Sequence, residues 1–141
     1  MNQKHDPAKW MISLAKAEQY PHFEEWGTVT DLINMSGPDG LPRFSGTFRY
    51  EIQFEWNEST KQVLLDLGEV YETAEVWLNG EQAGVRICPP YTFEVHGMIR
   101  KGTNKLVVEV TNTLVKEQRD FLSSFEQQEP SGLIGPVRFC H

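Results

Sequence analysis

The chain has 141 residues, enough to bury one hydrophobic core without staples, and its length suits a single domain. Its 20 acidic residues outnumber its 13 basic ones, for a formal net charge of -7; that balance opposes nucleic-acid phosphates and anionic membrane surfaces, so neither is an expected partner. No apolar run approaches the roughly 20 residues that cross a bilayer, and Met1-Asn-Gln-Lys-His-Asp-Pro7 lacks the apolar stretch of a signal peptide, so the expectation is a cytoplasmic chain or a piece of a longer protein.

Residues 1–43 are the least regular part. Asp6-Pro7 is suited to starting a helix, with Trp10, Met11, Leu14 and Ala15 on one face. Trp10, Ile12 and Leu14 also alternate, which suits an edge strand, and the pattern alone leaves both open. Gly37-Pro-Asp-Gly40 and Leu41-Pro42 mark a loop.

From residue 44 the period becomes two. Phe48, Tyr50, Ile52, Phe54 and Trp56 point one way, and Thr47, Arg49, Glu51, Gln53 and Glu55 the other. This predicts a strand with one buried and one wet face. Asn57-Glu-Ser-Thr60 reads as a turn. Val63, Leu65 and Leu67 form the next apolar row, broken by Gly68. Ala74, Val76 and Leu78 form another, with Trp77 out of phase. Asn79-Gly80 then predicts a tight hairpin, because both residues accept the positive φ of a type I′ turn. The return strand is expected over residues 81–87, stopped by Pro89-Pro90. Tyr91, Phe93 and Val95 resume the alternation, Lys101-Gly-Thr-Asn104 reads as a turn, and Leu106, Val108 and Val110 give another strand. Residues 113–130 read as a polar loop, and a short strand is expected over 137–139. Short strands between turn signals indicate an all-β antiparallel sandwich or barrel.

Chemistry-bearing motifs are sparse. Cys88 and Cys140 form no C-x-x-C pair and are expected as reduced thiols. His5, His22, His96 and His141 are scattered, with no H-E-x-x-H. There is no G-x-S-x-G elbow and no glycine-rich phosphate loop. No cofactor is expected; a structural calcium is conceivable in such a sandwich, but no D-x-D-x-D loop marks one. Glycoside cleavage needs two carboxyls roughly 5 to 10 Å apart, one of them protonated. Glu51, Glu55, Glu75, Glu94 and Glu109 instead fall on predicted wet faces, where solvated charge is the expected role.

Five segments, in this order, resemble the sugar-binding β-sandwich domain of family 2 glycoside hydrolases. They are Phe44-Ser-Gly-Thr-Phe-Arg-Tyr50, Leu65-Asp-Leu-Gly-Glu-Val70, Ala74-Glu-Val-Trp-Leu-Asn-Gly80, Pro90-Tyr-Thr-Phe-Glu-Val95 and Gly102-Thr-Asn-Lys-Leu-Val-Val-Glu-Val-Thr-Asn112. The ending Ser131-Gly-Leu-Ile-Gly-Pro-Val-Arg138 is similar to the C-terminal domain of family 106-type enzymes, the α-L-rhamnosidase group. Leu114-Val-Lys-Glu-Gln-Arg119 departs from that group's pattern. The resemblance implies a jelly roll of the galactose-binding-like type, residues 44–141, with residues 1–43 packing on it and Trp10 in a strand. It also implies an accessory module that binds carbohydrate or docks against a glycoside hydrolase catalytic domain, and cleaves nothing itself. The alternative is a structural or protein-interaction sandwich with no sugar affinity. A sugar site would fall at loop tips, and its candidate residues are Arg86, Tyr91, Asn112, Glu126 and Glu129.

Overall fold

The computed structural model describes residues 9–32, 35, 46–57, 62–71, 73–111 and 132–140. Among them are eleven strands: β1 (Trp10–Ala15), β2 (Glu24–Val29), β3 (Thr47–Trp56), β4 (Leu64–Asp66), β5 (Glu69–Tyr71), β6 (Thr73–Leu78), β7 (Glu81–Arg86), β8 (Thr92–Glu94), β9 (Gly102–Thr111), β10 (Gly132–Gly135) and β11 (Arg138–Cys140). All pairings are antiparallel. No helix among the described residues is long and apolar enough to cross a membrane.

One layer is a six-stranded sheet of order β2-β1-β3-β9-β6-β7. The other consists of a three-stranded sheet, β11-β4-β8, and the β10-β5 pair. The period-two rows meet between them. Phe48, Tyr50, Val76 and Val108 from the large sheet share one core with Leu65, Phe93, Val70 and Leu133 from the small ones. Burying each such side chain contributes about 1.5–3 kcal/mol, which is why the alternation fixes which face turns inward. The fold is the expected all-β antiparallel sandwich.

Trp10 belongs to a strand, which decides the helix-or-strand alternative. β1 is not an edge, however, because β2 pairs on its far side. Nothing in the 24–29 pattern signals a strand: every residue there is exposed or half-buried, so its alternation is weak and its place comes from pairing with β1. Asn79 (φ 55°) and Gly80 (φ 84°) form the expected hairpin turn. The strand start near residue 102 needs correction. Asn104 lies inside β9 and is 1% exposed, not at a solvent turn. Its Oδ1 accepts from Asn79 Nδ2 (2.8 Å) and Arg100 N (2.9 Å), and its Nδ2 donates to the carbonyls of Arg100 (2.7 Å) and Gly102 (3.1 Å). The side chain thereby satisfies the turn's backbone from within, which makes its burial tolerable.

The C-terminal segment closes the sandwich. The final strand runs to Cys140, and β10 precedes it, where the sequence pattern predicts no strand. Leu133 N donates to the Tyr50 hydroxyl at 3.0 Å, tying β10 to the middle of β3. Cys88 and Cys140 are free and exposed. Of the turn expected at 57–60, residues 58–60 lie outside the described residues, as do the loops at 37–42 and 113–130.

Candidate functional site

The outer face of the six-stranded sheet is set by register. Thr73, Thr111 and Thr47 align across β6, β9 and β3, followed one row on by Glu75, Glu109 and Arg49, and then by Trp77, Val107 and Glu51. Cross-strand neighbours of this kind approach within about 5 Å, so each row acts as a unit.

Part of this face is covered. The connection between β1 and β2 folds across it, and beneath it Ser13, Ala15, Thr47 and Glu109 are buried. Tyr20 donates its hydroxyl to Glu109 Oε1 at 2.9 Å, and its ring packs edge-on against Phe23, centroids 5.6 Å apart. Arg49 lies over the Phe23 ring, 4.7 Å from its centroid, and places Nε 3.3 Å from Glu109 Oε2. That N–H is not aligned for a hydrogen bond, so the contact is ionic. The expectation of a solvated Glu109 is therefore corrected. The carboxylate is 5% exposed, because a segment distant in sequence lies on it. The hydrogen bond to Glu109, helped by burial and by the charge of Glu109, raises the pKa of Tyr20.

At the margin of this cover is a cleft of about 340 Å³, bounded by Tyr20, Thr47, Thr73, Glu75, Val85, Glu109 and Thr111, with Ala17 and Ala74. The Thr47 and Thr111 hydroxyls share a hydrogen bond of 3.1 Å. Gln82 Nε2 donates to Glu75 Oε2. A second depression, about 490 Å³, lies at one end of the sandwich, with walls from Trp10, Leu32, Ile52, Ile134 and Val137 and with Asp31 and Thr30 as polar groups.

Of the five site residues expected from sequence, Arg86 and Tyr91 are described. Arg86 ends β7 opposite Ala74, stacks its guanidinium 4.8 Å from the centroid of Phe93 and donates to the Val85 carbonyl at 3.0 Å. Its neighbour Val85 lies on the rim of the threonine cleft. Tyr91 is 5% exposed and part of the core. Asn112, Glu126 and Glu129 lie outside the described residues. The cleft itself is not legible in sequence: Thr47, Glu75 and Glu109 read as ordinary outward residues, Thr73 and Thr111 carry no signal of their own, and only strand order makes the five neighbours. Among the described residues, no three His, Cys, Asp or Glu side chains converge on a metal-holding position.

Residues 9–132 match the family described as glycosyl hydrolase 2 galactose-binding domain-like. The chain belongs to this family. A Formosa agariphila protein provisionally named a β-glucuronidase is 33% identical over 98 residues, covering 67% of this chain and 8% of that protein. A rhamnosidase from Novosphingobium sp. PP1Y is similar in structure, with a TM-score of 0.75 and 26% identity over 99% of this chain and 16% of its own. A Faecalibacterium prausnitzii β-glucuronidase shares the fold, with a TM-score of 0.63 and 18% identity over 99% of this chain and 32% of its own. This galactose-binding-like chain is thus a domain of a glycoside hydrolase family 2 type protein, and it spans a small part of the relatives it matches.

Proposed function

We propose that this domain is a non-catalytic accessory module of a glycoside hydrolase, which holds carbohydrate or docks against the catalytic domain. The observation that carries this reading is the family match over residues 9–132, set beside the 8% and 16% of the relatives' lengths that the chain covers. A non-catalytic role is supported by how the carboxylates are used. Glu75 and Glu109 are register partners across β6 and β9, so a glycosidase pair must be considered. Yet Glu109 accepts from Tyr20 and contacts Arg49, and Glu75 accepts from Gln82. Each carboxylate thus has structural partners within the sheet face, which is the use expected of a non-catalytic surface.

A second reading, docking without sugar affinity, is favoured by the exposed apolar edge at Val85 (48%) and Ile87 (75%). A glycan-array screen of the purified chain, with titration of any hit, separates the two. A saturable hit is the expected result. A blank with a sample whose circular dichroism is of β type would remove the carbohydrate half and leave docking. Of the candidates from sequence, Arg86, Asn112, Glu126 and Glu129 are the residues to substitute first if a hit appears; Tyr91, buried in the core, is not among them. No cofactor takes part in this reading, so EDTA is expected to leave the melting temperature unchanged; a fall would reveal a structural cation.

A further inference from the structure

We infer that the threonine-lined cleft on the outer sheet face is a subsite for a neutral, hydroxyl-rich sugar ring. This rests on the carbohydrate half of the proposed function and gives it a place and a ligand class.

Three features carry it. The first is a floor that is polar and built. Thr47 and Glu109, 6% and 5% exposed, are held in place by hydrogen bonds to Thr111 and Tyr20. Ordered polar groups at the base of a concavity fix the orientation of a ligand. The second is spacing. Thr73, Thr111 and Thr47 project from three adjacent strands, and Glu75 sits beside Glu109 one row along. Strands about 4.8 Å apart therefore present donors and acceptors on a lattice close to the width of a six-membered sugar ring. The third is an apolar rim. The Tyr20 ring is 47% exposed and the Val85 side chain 48% exposed, on the boundary of the same cleft. Sugars lay their C–H faces on such surfaces while their hydroxyls bond below.

Charge narrows the class. Glu75 and Glu109 both bound the cleft, no Lys or Arg is among its described lining residues, and Arg49, beside Glu109, is engaged by Glu109 and Phe23. A uronate would bring a third carboxylate within a Debye length of two others, whereas a neutral ring meets acceptors suited to its hydroxyls. The cleft is thus expected to select against acidic sugars.

The test is an amide-resolved NMR titration of the 141-residue chain with L-rhamnose, D-galactose, D-glucose and D-glucuronate. Saturable shifts at Thr73, Glu75, Val85 and Thr111 with a neutral sugar are expected, with glucuronate at least fivefold weaker. Thr73→Val, which removes one hydroxyl at nearly constant shape, should weaken the neutral sugar about tenfold. Glu75→Gln, which keeps an acceptor for Gln82 and removes a charge, should narrow the gap to glucuronate. Glu94→Gln, on the opposite layer, should change neither. Saturable shifts elsewhere, with affinity untouched by Thr73→Val, would overturn the cleft and leave the carbohydrate reading standing. Absence of saturable shifts with every sugar would overturn both.

Discussion

Asn104 uses both acceptor and both donor positions of its amide inside the protein. Asn104→Ala removes an acceptor from Arg100 N and a donor from two carbonyls, and each buried polar group left unpaired costs about 1–3 kcal/mol. A loss of about 2–4 kcal/mol is expected from urea denaturation, well above the cost of a surface substitution. Tyr50 is a second buried polar residue, and its effect depends on pH. Burial pushes its pKa well above the ordinary 10.0, opposed by the hydrogen bond from Leu133. The unfolded chain releases this proton near pH 10, while the folded protein keeps it. The associated stability is therefore complete below pH 10 and is lost as the pH rises towards the folded pKa. The unfolding free energy from urea denaturation should hold steady up to pH 10 and then fall, by up to about 1.4 kcal/mol per pH unit for this group. Tyr20 contributes with the same sign. Tyr50→Phe should be about 1–2 kcal/mol less stable at neutral pH, because Leu133 N–H loses its acceptor, and its decline above pH 10 should be shallower. Parallel alkaline slopes would show that Tyr50 is not the group responsible.

Two glycines at the joints between strands separate backbone strain from steric exclusion. Gly80, in the β6–β7 turn, has φ +84° and open space where a Cβ would stand. Gly80→Ala should therefore cost only the left-handed strain, about 1–2 kcal/mol. Gly68, between β4 and β5, has φ +72°, and a Cβ there would stand 2.5 Å from the backbone of Gly135. Gly68→Ala should cost clearly more than Gly80→Ala, because the Gly135-Pro136 backbone at the end of β10 must move to make room. Thermal melts of the two variants compare them directly, and equal losses would mean that the β10 segment yields without penalty. The β1–β2 connection has a comparable role on the other layer. Its Tyr20 and Phe23 bring Arg49 and Glu109 under cover, and so shape one wall of the cleft.

For the molecule as a whole, the question is what else touches it. Ile87 is 75% exposed just beyond the edge strand β7. In the 141-residue chain, Ile87→Ser should leave stability within about 0.5 kcal/mol. If the Val85–Ile87 edge is where a catalytic domain packs, the same substitution should lower the melting temperature of the parent enzyme. An unchanged parent would remove this edge from the docking reading. The formal charge of -7 acts in the same direction as the two cleft carboxylates, disfavouring anionic ligands over the whole surface.

The sequence by itself determined the all-β class, the inward face of β3, β6 and β9, and the Asn79-Gly80 hairpin. These follow from period-two burial and from the φ that Asn and Gly accept, which are properties of neighbouring residues. The ordered motifs also made the glycoside hydrolase domain family legible, because its turns and apolar rows recur along the chain. β2 and β10 escaped because neither carries a clean alternation; partners far away in sequence make them strands. The same reason hid the cleft. Thr47, Thr73, Glu75, Glu109 and Thr111 belong to three strands, and only the order β3-β9-β6 makes them adjacent. Burial of Glu109 and Asn104 was likewise decided by tertiary structure, since whether an outward or turn residue meets water depends on what folds across it.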